Sequence, residues 1–462
     1  MLFQAPDQWP RGSDHLFSCW SFSLSLHSLW TLPMVAVTHG GLAFLTAYTL
    51  LVALLGAPLL LLELALGQYS ALPSARLYRH LCPVLAGLGV ALAVIATLRS
   101  MLDLAVLMWS GQALFHLFSA QRIPQNFFAR DVLDQEDFSL EELGTLRNQI
   151  LLVLGIASLS TFVFLVAGTR SIGKVSMLAV PAAFMLLVTL TIRACLAPGG
   201  PQGVLLLLAP DWSVLTTPSL WLQAAGQVVF SLQLGLGAFS TYASYNKYEH
   251  NLVRDTAIMA VSHLVWVLLA TLLTLALLGV AQGSEALSLR PGARFGEELL
   301  ATTGTGVWLG ASTLAEKAAG SLSHGWLWAG LYFILVCIVA VTSLFGYVEV
   351  ISSSLVSIAP SYARLKPLVV FLVLALVFLL DLVLATQGGI HVYHLLHTYL
   401  SSWPALLFSL LTVLATVLSH GTGHLVRDLG AMTKFPLPHW ATAHLSVIYY
   451  SLLPIALTVG TS

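Results

Sequence analysis

Charge is the scarcest property of this 462-residue chain. It carries 19 Lys plus Arg and 20 Asp plus Glu, 8% of its residues, against roughly 25% in a soluble globular domain. Cysteine is rare too: Cys19, Cys82, Cys195 and Cys337 are the four. All fall in or beside apolar runs and none lies in the polar stretch 119–148, so no structural disulfide is expected there. There is no Asn-X-Ser/Thr acceptor to mark a glycosylated ectodomain. The first apolar run lacks a basic start and a small-residue cleavage site, so it does not read as a leader peptide. The net charge of −1 says nothing about a polyanionic partner; what matters is where the few charges sit. These absences exclude a soluble enzyme, a nucleic-acid binder and a disordered scaffold.

What is present is apolar. Hydrophobic residues make up 58% of the chain, and the mean hydropathy is +0.88. A bilayer-crossing helix needs about 20 mostly apolar residues. Eleven such runs occur, near 16–37, 42–69, 84–118, 149–167, 174–196, 219–245, 255–281, 325–357, 367–385, 390–419 and 439–459. The third and sixth are long, which suggests tilt or a break. With the N-terminus in the cytoplasm, eleven basic residues fall inside and seven outside, while five acids fall inside and eleven outside. That asymmetry favours a cytoplasmic N-terminus. A short N-terminal segment (1–15) would precede a core over 16–419, followed by a cytoplasmic loop and the eleventh helix over 420–462.

Five ionisable residues lie within the runs: Glu63, Arg99, Asp103, Glu349 and Asp381. Intramembrane charge is costly and marks function by default. Arg99 precedes Asp103 by one helical turn, so a local ion pair and a pocket carboxylate are both open readings. Two runs look broken. Pro33 interrupts the first, which is rich in Ser and His, and Gly235-Leu236-Gly237 interrupts the sixth. Gly and Pro at membrane depth free backbone groups that protein or ligand must satisfy. Breaks at corresponding places in two halves point to a transporter site, whereas isolated kinks only help packing.

Several blocks resemble one family. Gly40-Gly41-Leu42-Ala43-Phe44, Gly56-Ala57-Pro58 and Glu63-Leu64-Ala65-Leu66-Gly67-Gln68-Tyr69 are similar to the second-helix signature of the neurotransmitter:sodium symporters (solute carrier family 6). Gly226-Gln227, Phe230-Ser231, Gly235-Leu236-Gly237 and Tyr242-Ala243-Ser244-Tyr245-Asn246 resemble its broken sixth helix. Arg254-Asp255 resembles the start of its seventh, and Thr386-Gln387-Gly388-Gly389-Ile390 the start of its tenth, in the form used by the amino-acid and glycine/proline-like branches. The resemblance implies an all-α integral membrane protein of the LeuT type. Two inverted five-helix repeats (about 16–196 and 219–419) would carry broken helices one and six. About eleven transmembrane helices are expected, the family's twelfth being absent. It implies a sodium-dependent symporter moving a small amino acid or amine by alternating access in the plasma membrane, with no catalytic residues and no organic cofactor. The alternative is a non-transporting member that serves as a partner subunit in a membrane complex.

Carried over position by position, the resemblance implies a second sodium site at Ser21, Leu24, Val339, Thr342 and Ser343. A degraded first site falls on Ser23, Ser28, Ser231 and His263, where an imidazole replaces an amide oxygen. Chloride would meet Tyr48, Gln227 and Ser231, while Val267 replaces a hydroxyl. The substrate pocket maps to Ser25, His27, Ser28, Asp103, Phe230, Gln233 and Leu236, with an anion at Asp103 in place of a tyrosine. Glu63, Gly235 and Gly237 would be structural. The outer gate falls on Thr31 and His397, and the inner gate on Pro6 and Ser357. Each pair has lost both charges.

Overall fold

The computed structural model describes residues 8–123, 127–128, 132–133, 143–205, 207–208, 210–282, 312, 315–316, 319–358, 365–401 and 403–433. Among these residues the architecture is helical. One isolated antiparallel bridge, Leu146 to Thr386, is the only β contact.

The first span is split. Helix α1 (Gly12–Ser23) ends at Leu24, and the chain resumes through a π turn (His27–Thr31) into α2 (Leu32–Thr38). Gly40 and Gly41, at φ +96° and +61°, make the reversal that precedes the second span. That span is α3 (Leu42–Leu51), a π turn (Val52–Gly56) and α4 (Ala57–Ser70), closed by Ala71 in the left-handed region. A short amphipathic α5 (Ser74–Leu81) leads to the third span, α6 (Gly87–Ala120). Its 34 residues form one uninterrupted helix. At 1.5 Å per residue it is about 51 Å long, well beyond the hydrocarbon thickness. Of the two expectations for this run, the break does not occur.

The fourth and fifth spans are α7 (Asn148–Leu165) and α8 (Thr169–Cys195). After a short α9 (Gly200–Leu205), the second half also opens with a split helix, α10 (Pro218–Ser231) and α11 (Ala238–Ala243). Then come α12 (Leu252–Gln282), α13 (Gly325–Ile358) and α14 (Lys366–Asp381). Pro lies in the first turn of α4, α10 and α14, where its missing N–H costs nothing. The tenth span is not continuous: α15 (Gly389–Leu400) and α16 (Pro404–Ser419) meet around Ser401. The stretch after 420, expected as a loop, holds α17 (Thr422–Thr433). The expected eleventh span lies outside the described residues.

Among the described residues, seven stretches are long and apolar enough to cross a membrane. The split first and sixth spans and the 16-residue α14 are too short for that measure, although they belong to the same bundle. The bundle has a clear inside and outside. The spanning window of α13 is 72% buried and that of α7 only 28%. Helix α7 turns Leu152, Ile156, Leu159 and Val163 outward, as α14 does Leu368, Leu372, Leu376 and Leu379. In water such surfaces would aggregate; in lipid they are ordinary. The central helices α6 and α13 pack along much of their length. Gly67 lets α4 close on α11, since a Cβ there would lie 2.0 Å from the Ser240 carbonyl. The loop before α7 is pinned to the start of the tenth span. Gly388 N donates to Leu143 O (3.0 Å) and Thr145 N to Gln387 Oε1 (3.1 Å).

Candidate functional site

The two breaks face each other, and what satisfies their backbone groups defines the site. A helix ends with four carbonyls that lack intrahelical partners. For α1 these are Trp20, Ser21, Phe22 and Ser23. Ser23 Oγ donates to Trp20 O (2.7 Å), Thr342 Oγ1 approaches Ser21 O (3.4 Å) and Gln233 Nε2 donates to Phe22 O (2.9 Å). For α10 they are Val228, Val229, Phe230 and Ser231. The N–H groups of Leu232, Leu234 and Gln233 reach the first three at 3.0–3.2 Å. The fourth accepts from Ser25 Oγ (2.7 Å). The unwound segment turns through Gln233, Gly235 and Gly237 at φ +58°, +73° and +80°, which favours glycine at the last two. Gly235 N donates to Glu63 Oε1 (2.6 Å), so this buried carboxylate anchors the break.

The residues assigned to the second sodium site lie where α1 ends against the middle of α13. Thr342 Oγ1 turns back to Ile338 O (3.0 Å) and Val339 O (3.1 Å) in its own helix and lies 3.4 Å from Ser21 O across to α1. Leu24 is the residue at which α1 stops. Ser343 Oγ accepts from Gln233 Nε2 (3.1 Å) and keeps lone-pair capacity. Two carbonyls and a hydroxyl converge here without a fixed charge, a donor set that suits a hard monovalent cation.

The side-chain donors assigned to the first site are bonded within the protein, while Ser23 is expected to offer its carbonyl. Tyr48 OH lies 2.6 Å from Ser231 Oγ and 2.8 Å from His263 Nε2. Ser28 Oγ donates to Ser25 O (2.7 Å) and accepts from Trp266 Nε1 (3.1 Å). Ser23 Oγ is turned back onto its own helix. His263 Nδ1 has no partner of normal hydrogen-bond geometry, with the Ser23 backbone beside the ring. An imidazole held by a tyrosine supplies no equivalent of an amide oxygen, so this donor set does not fit sodium. Two of the three chloride donors, Tyr48 and Ser231, are tied to each other. The third, Gln227, meets His27 Nε2 through Oε1 (2.7 Å).

The substrate-pocket residues are brought together and largely occupy the space themselves. His27 packs its ring against Phe230 at 5.8 Å between centroids, and Leu236 is buried. Gln233 accepts from Tyr347 OH, so its amide braces the breaks of both split spans to α13. Asp103 sits near Tyr347 and Tyr393 and makes no hydrogen bond or ion pair among the described residues. The local Arg99–Asp103 ion pair does not form. Arg99 turns instead to Leu400 O (2.8 Å) and Ser401 Oγ (3.3 Å) at the end of α15. A cation there meets the negative end of the helix dipole and its free carbonyls.

A model of the sodium:neurotransmitter symporter family matches residues 6–124 and 119–460. The chain belongs to this family. Sodium- and chloride-dependent GABA transporter 2 of Bos taurus is 28% identical over 441 residues, covering 87% of this chain and 71% of that protein. Sodium- and chloride-dependent creatine transporter 1 of Homo sapiens is 26% identical over 479 residues, covering 94% and 73%. The family consists of transporters, so this is a multi-pass membrane protein of a transporter family and not an enzyme.

Among the described residues, no hydrogen bond or ion pair joins the expected outer-gate positions. Thr31 Oγ1 is buried without a partner, and His397 stacks on Tyr393 at 5.7 Å. Ser357 bonds within its own helix to Ser354 O (2.7 Å), and Pro6 lies outside the described residues. A different closure is present at the N-terminal face. Glu349, 1% exposed, accepts from Lys366 Nζ (2.7 Å) and Tyr245 OH (2.5 Å), and Lys366 lies over the Tyr245 ring. Trp9 Nε1 donates to Tyr242 O (2.8 Å) and Trp9 N to Tyr245 O (3.2 Å). Sequence reasoning singled out Glu349 without a partner and missed Lys366 and Trp9. A buried acid in one span and a basic residue at the start of the next was the available signal.

Proposed function

We propose that the protein is a sodium-coupled carrier of a small amine-type solute, driven through the second site alone. The observation that carries this reading is the approach of Thr342 Oγ1, which also bonds back to Ile338 O and Val339 O in α13, to the Ser21 carbonyl at the end of α1. Leu24 and Ser343 complete the set. Sodium bound there would tie the first half of span one to α13. Asp103 is the pocket's unpaired anion, and it suits a cationic amino group and repels a carboxylate. Ser25 and His27 fill the place where the resemblance puts a substrate carboxylate. The named relatives carry GABA and creatine, both of which bear a carboxylate. The solute here is therefore an amine without one, or a small amino acid held mainly through its amino group. Chloride is left with the Gln227 amide N–H groups, because the Tyr48 and Ser231 hydroxyls are bonded to each other while Gln227 meets His27 only through its oxygen. The charge asymmetry supports a cytoplasmic N-terminus, and the resemblance supports the plasma membrane.

A second reading is a non-transporting partner subunit. It is favoured by Ser25 and Gln233, which take backbone and hydroxyl groups that a bound solute would otherwise use. Uptake of radiolabelled amines and amino acids into proteoliposomes decides between the two. Sodium-dependent amine uptake that is lost in Thr342→Val and in Asp103→Asn supports the carrier. Uptake indifferent to replacing sodium by choline rejects the second site as a driving site. No uptake of any solute by well-folded protein establishes the partner role.

A further inference from the structure

Three side chains that the transport reading does not use converge at the N-terminal face of the bundle. His15 lies on α1, His250 in the turn between the sixth and seventh spans, and Asp255 in the first turn of α12. His15 Nδ1 is 3.1 Å from Asp255 Oδ2, and His250 Nε2 is 2.6 Å from the same oxygen. One ligating atom from each lies within 4.8 Å of the others.

We propose that His15, His250 and Asp255 form a binding site for a divalent cation of the Zn²⁺ class. Two imidazoles and a carboxylate are the ligand types that borderline divalent transition ions select, and hard cations such as Ca²⁺ and Mg²⁺ avoid. A tetrahedral ion with bonds of about 2.0–2.1 Å holds its ligand atoms about 3.3 Å apart. The His15–Asp255 separation already fits; the His250 side chain, 2.6 Å from the shared oxygen and within 4.8 Å of the His15 ligand atom, must shift to sit about 3.3 Å from both.

Independent features support a cation rather than a mere hydrogen-bonded cluster. Asp255 is fully buried, yet its Oδ1 has no hydrogen bond. Arg254 Nε approaches it only to 3.7 Å, with a side chain 63% exposed to solvent. A buried carboxylate that shares one oxygen between two imidazoles and leaves the other unmet has spare acceptor capacity. His15 turns its other nitrogen, Nε2, to Cys19 Sγ at 3.3 Å. That is the outer partner which fixes ring orientation at metal sites. His250 is 17% exposed, while His15 and Asp255 are inaccessible. The ion therefore enters past His250, and that side holds the open fourth position for water.

The site also joins parts that must separate. The segment of α1 below its break belongs to the element whose end forms the second sodium site, whereas Asp255 belongs to α12. A bound ion staples the two and holds the N-terminal face closed.

The test uses the full chain in lipid nanodiscs, stripped with a chelator and titrated with Zn²⁺ against a chromogenic competitor. One Zn²⁺ per chain is expected, with a rise in melting temperature. His250→Ala, which alters a partly exposed turn residue, should weaken binding by on the order of tenfold or more and abolish the thermal shift. Cys19→Ala should weaken it about tenfold through the outer partner. His391→Ala, in α15, should change nothing. Less than half an equivalent of Zn²⁺ in the native chain overturns the proposal, as does undiminished binding in a His250→Ala protein that melts normally in chelator.

Discussion

The regions assigned to the two sodium sites lie side by side and met divergence differently. Around Thr342 the donors are largely main-chain carbonyls, Ser21 O and Val339 O, and they still converge. Around His263 the donors are largely side chains, and Tyr48, Ser231, Ser28 and Ser25 have bonded to one another. A carbonyl is present whatever the residue, so a site built from helix ends needs only the break to persist. A site built from side chains depends on each identity. When one donor changes, the rest satisfy themselves, because an unmet polar group in a membrane core is costly.

The strongest test of this contrast removes what the two regions share. Glu63→Ala orphans the buried Gly235 N–H at the sixth-span break. It should cost about 3 kcal/mol, seen as a lower melting temperature in nanodiscs, and it should disturb both regions together. If Glu63→Ala melts like the native protein, the break holds itself and the scaffold argument fails. Thr342→Val comes next. Losing one hydroxyl to a cation is worth about 2 kcal/mol, so the half-maximal sodium concentration for thermal stabilisation or uptake should rise roughly 10- to 100-fold. An unchanged sodium response would remove the carbonyl-built region from consideration.

Gln233→Ala frees the Phe22 carbonyl and the Ser343 and Tyr347 hydroxyls. A stability loss of about 1–2 kcal/mol is expected, together with faster solute exchange if the amide braces a working pathway. Unaltered exchange, from a carrier with measurable uptake, would show that the brace limits nothing. The smallest effect concerns the self-satisfied region. Tyr48→Phe removes the hydroxyl that links Ser231 to His263 and should cost about 1 kcal/mol in a denaturation series, with no change in half-maximal sodium concentration. A sodium shift as large as that of Thr342→Val would mean that the first region also binds, and the contrast would collapse.

The spans were readable because their cause is local. About twenty apolar residues cross a bilayer whatever surrounds them, and Gly235-Leu236-Gly237 announced the sixth-span break. Pro33 did not mark the first, which opens at Leu24, nine residues earlier, while Pro33 sits in the first turn of α2, where its missing N–H is tolerated. The partners of the intramembrane charges were not readable. Arg99 and Asp103 invite a one-turn ion pair, yet Arg99 caps α15, some three hundred residues away in sequence. The kink in the tenth span carries no internal glycine, and Pro404 marks only the restart of the helix. Asp381 is buried and neither of its oxygens has a hydrogen-bond partner among the described residues.

The sequence by itself determined the solvent, the span order, the sixth-span break and the family, since each follows from composition or from short contiguous blocks. The tertiary structure alone decided which side chain meets each freed carbonyl. It made Ser25 and Gln233 occupants of the pocket they line, gave Glu349 to Lys366, and drew His15, His250 and Asp255 together. Those pairings join residues up to about three hundred positions apart, and they are set by which helix faces which in the packed bundle.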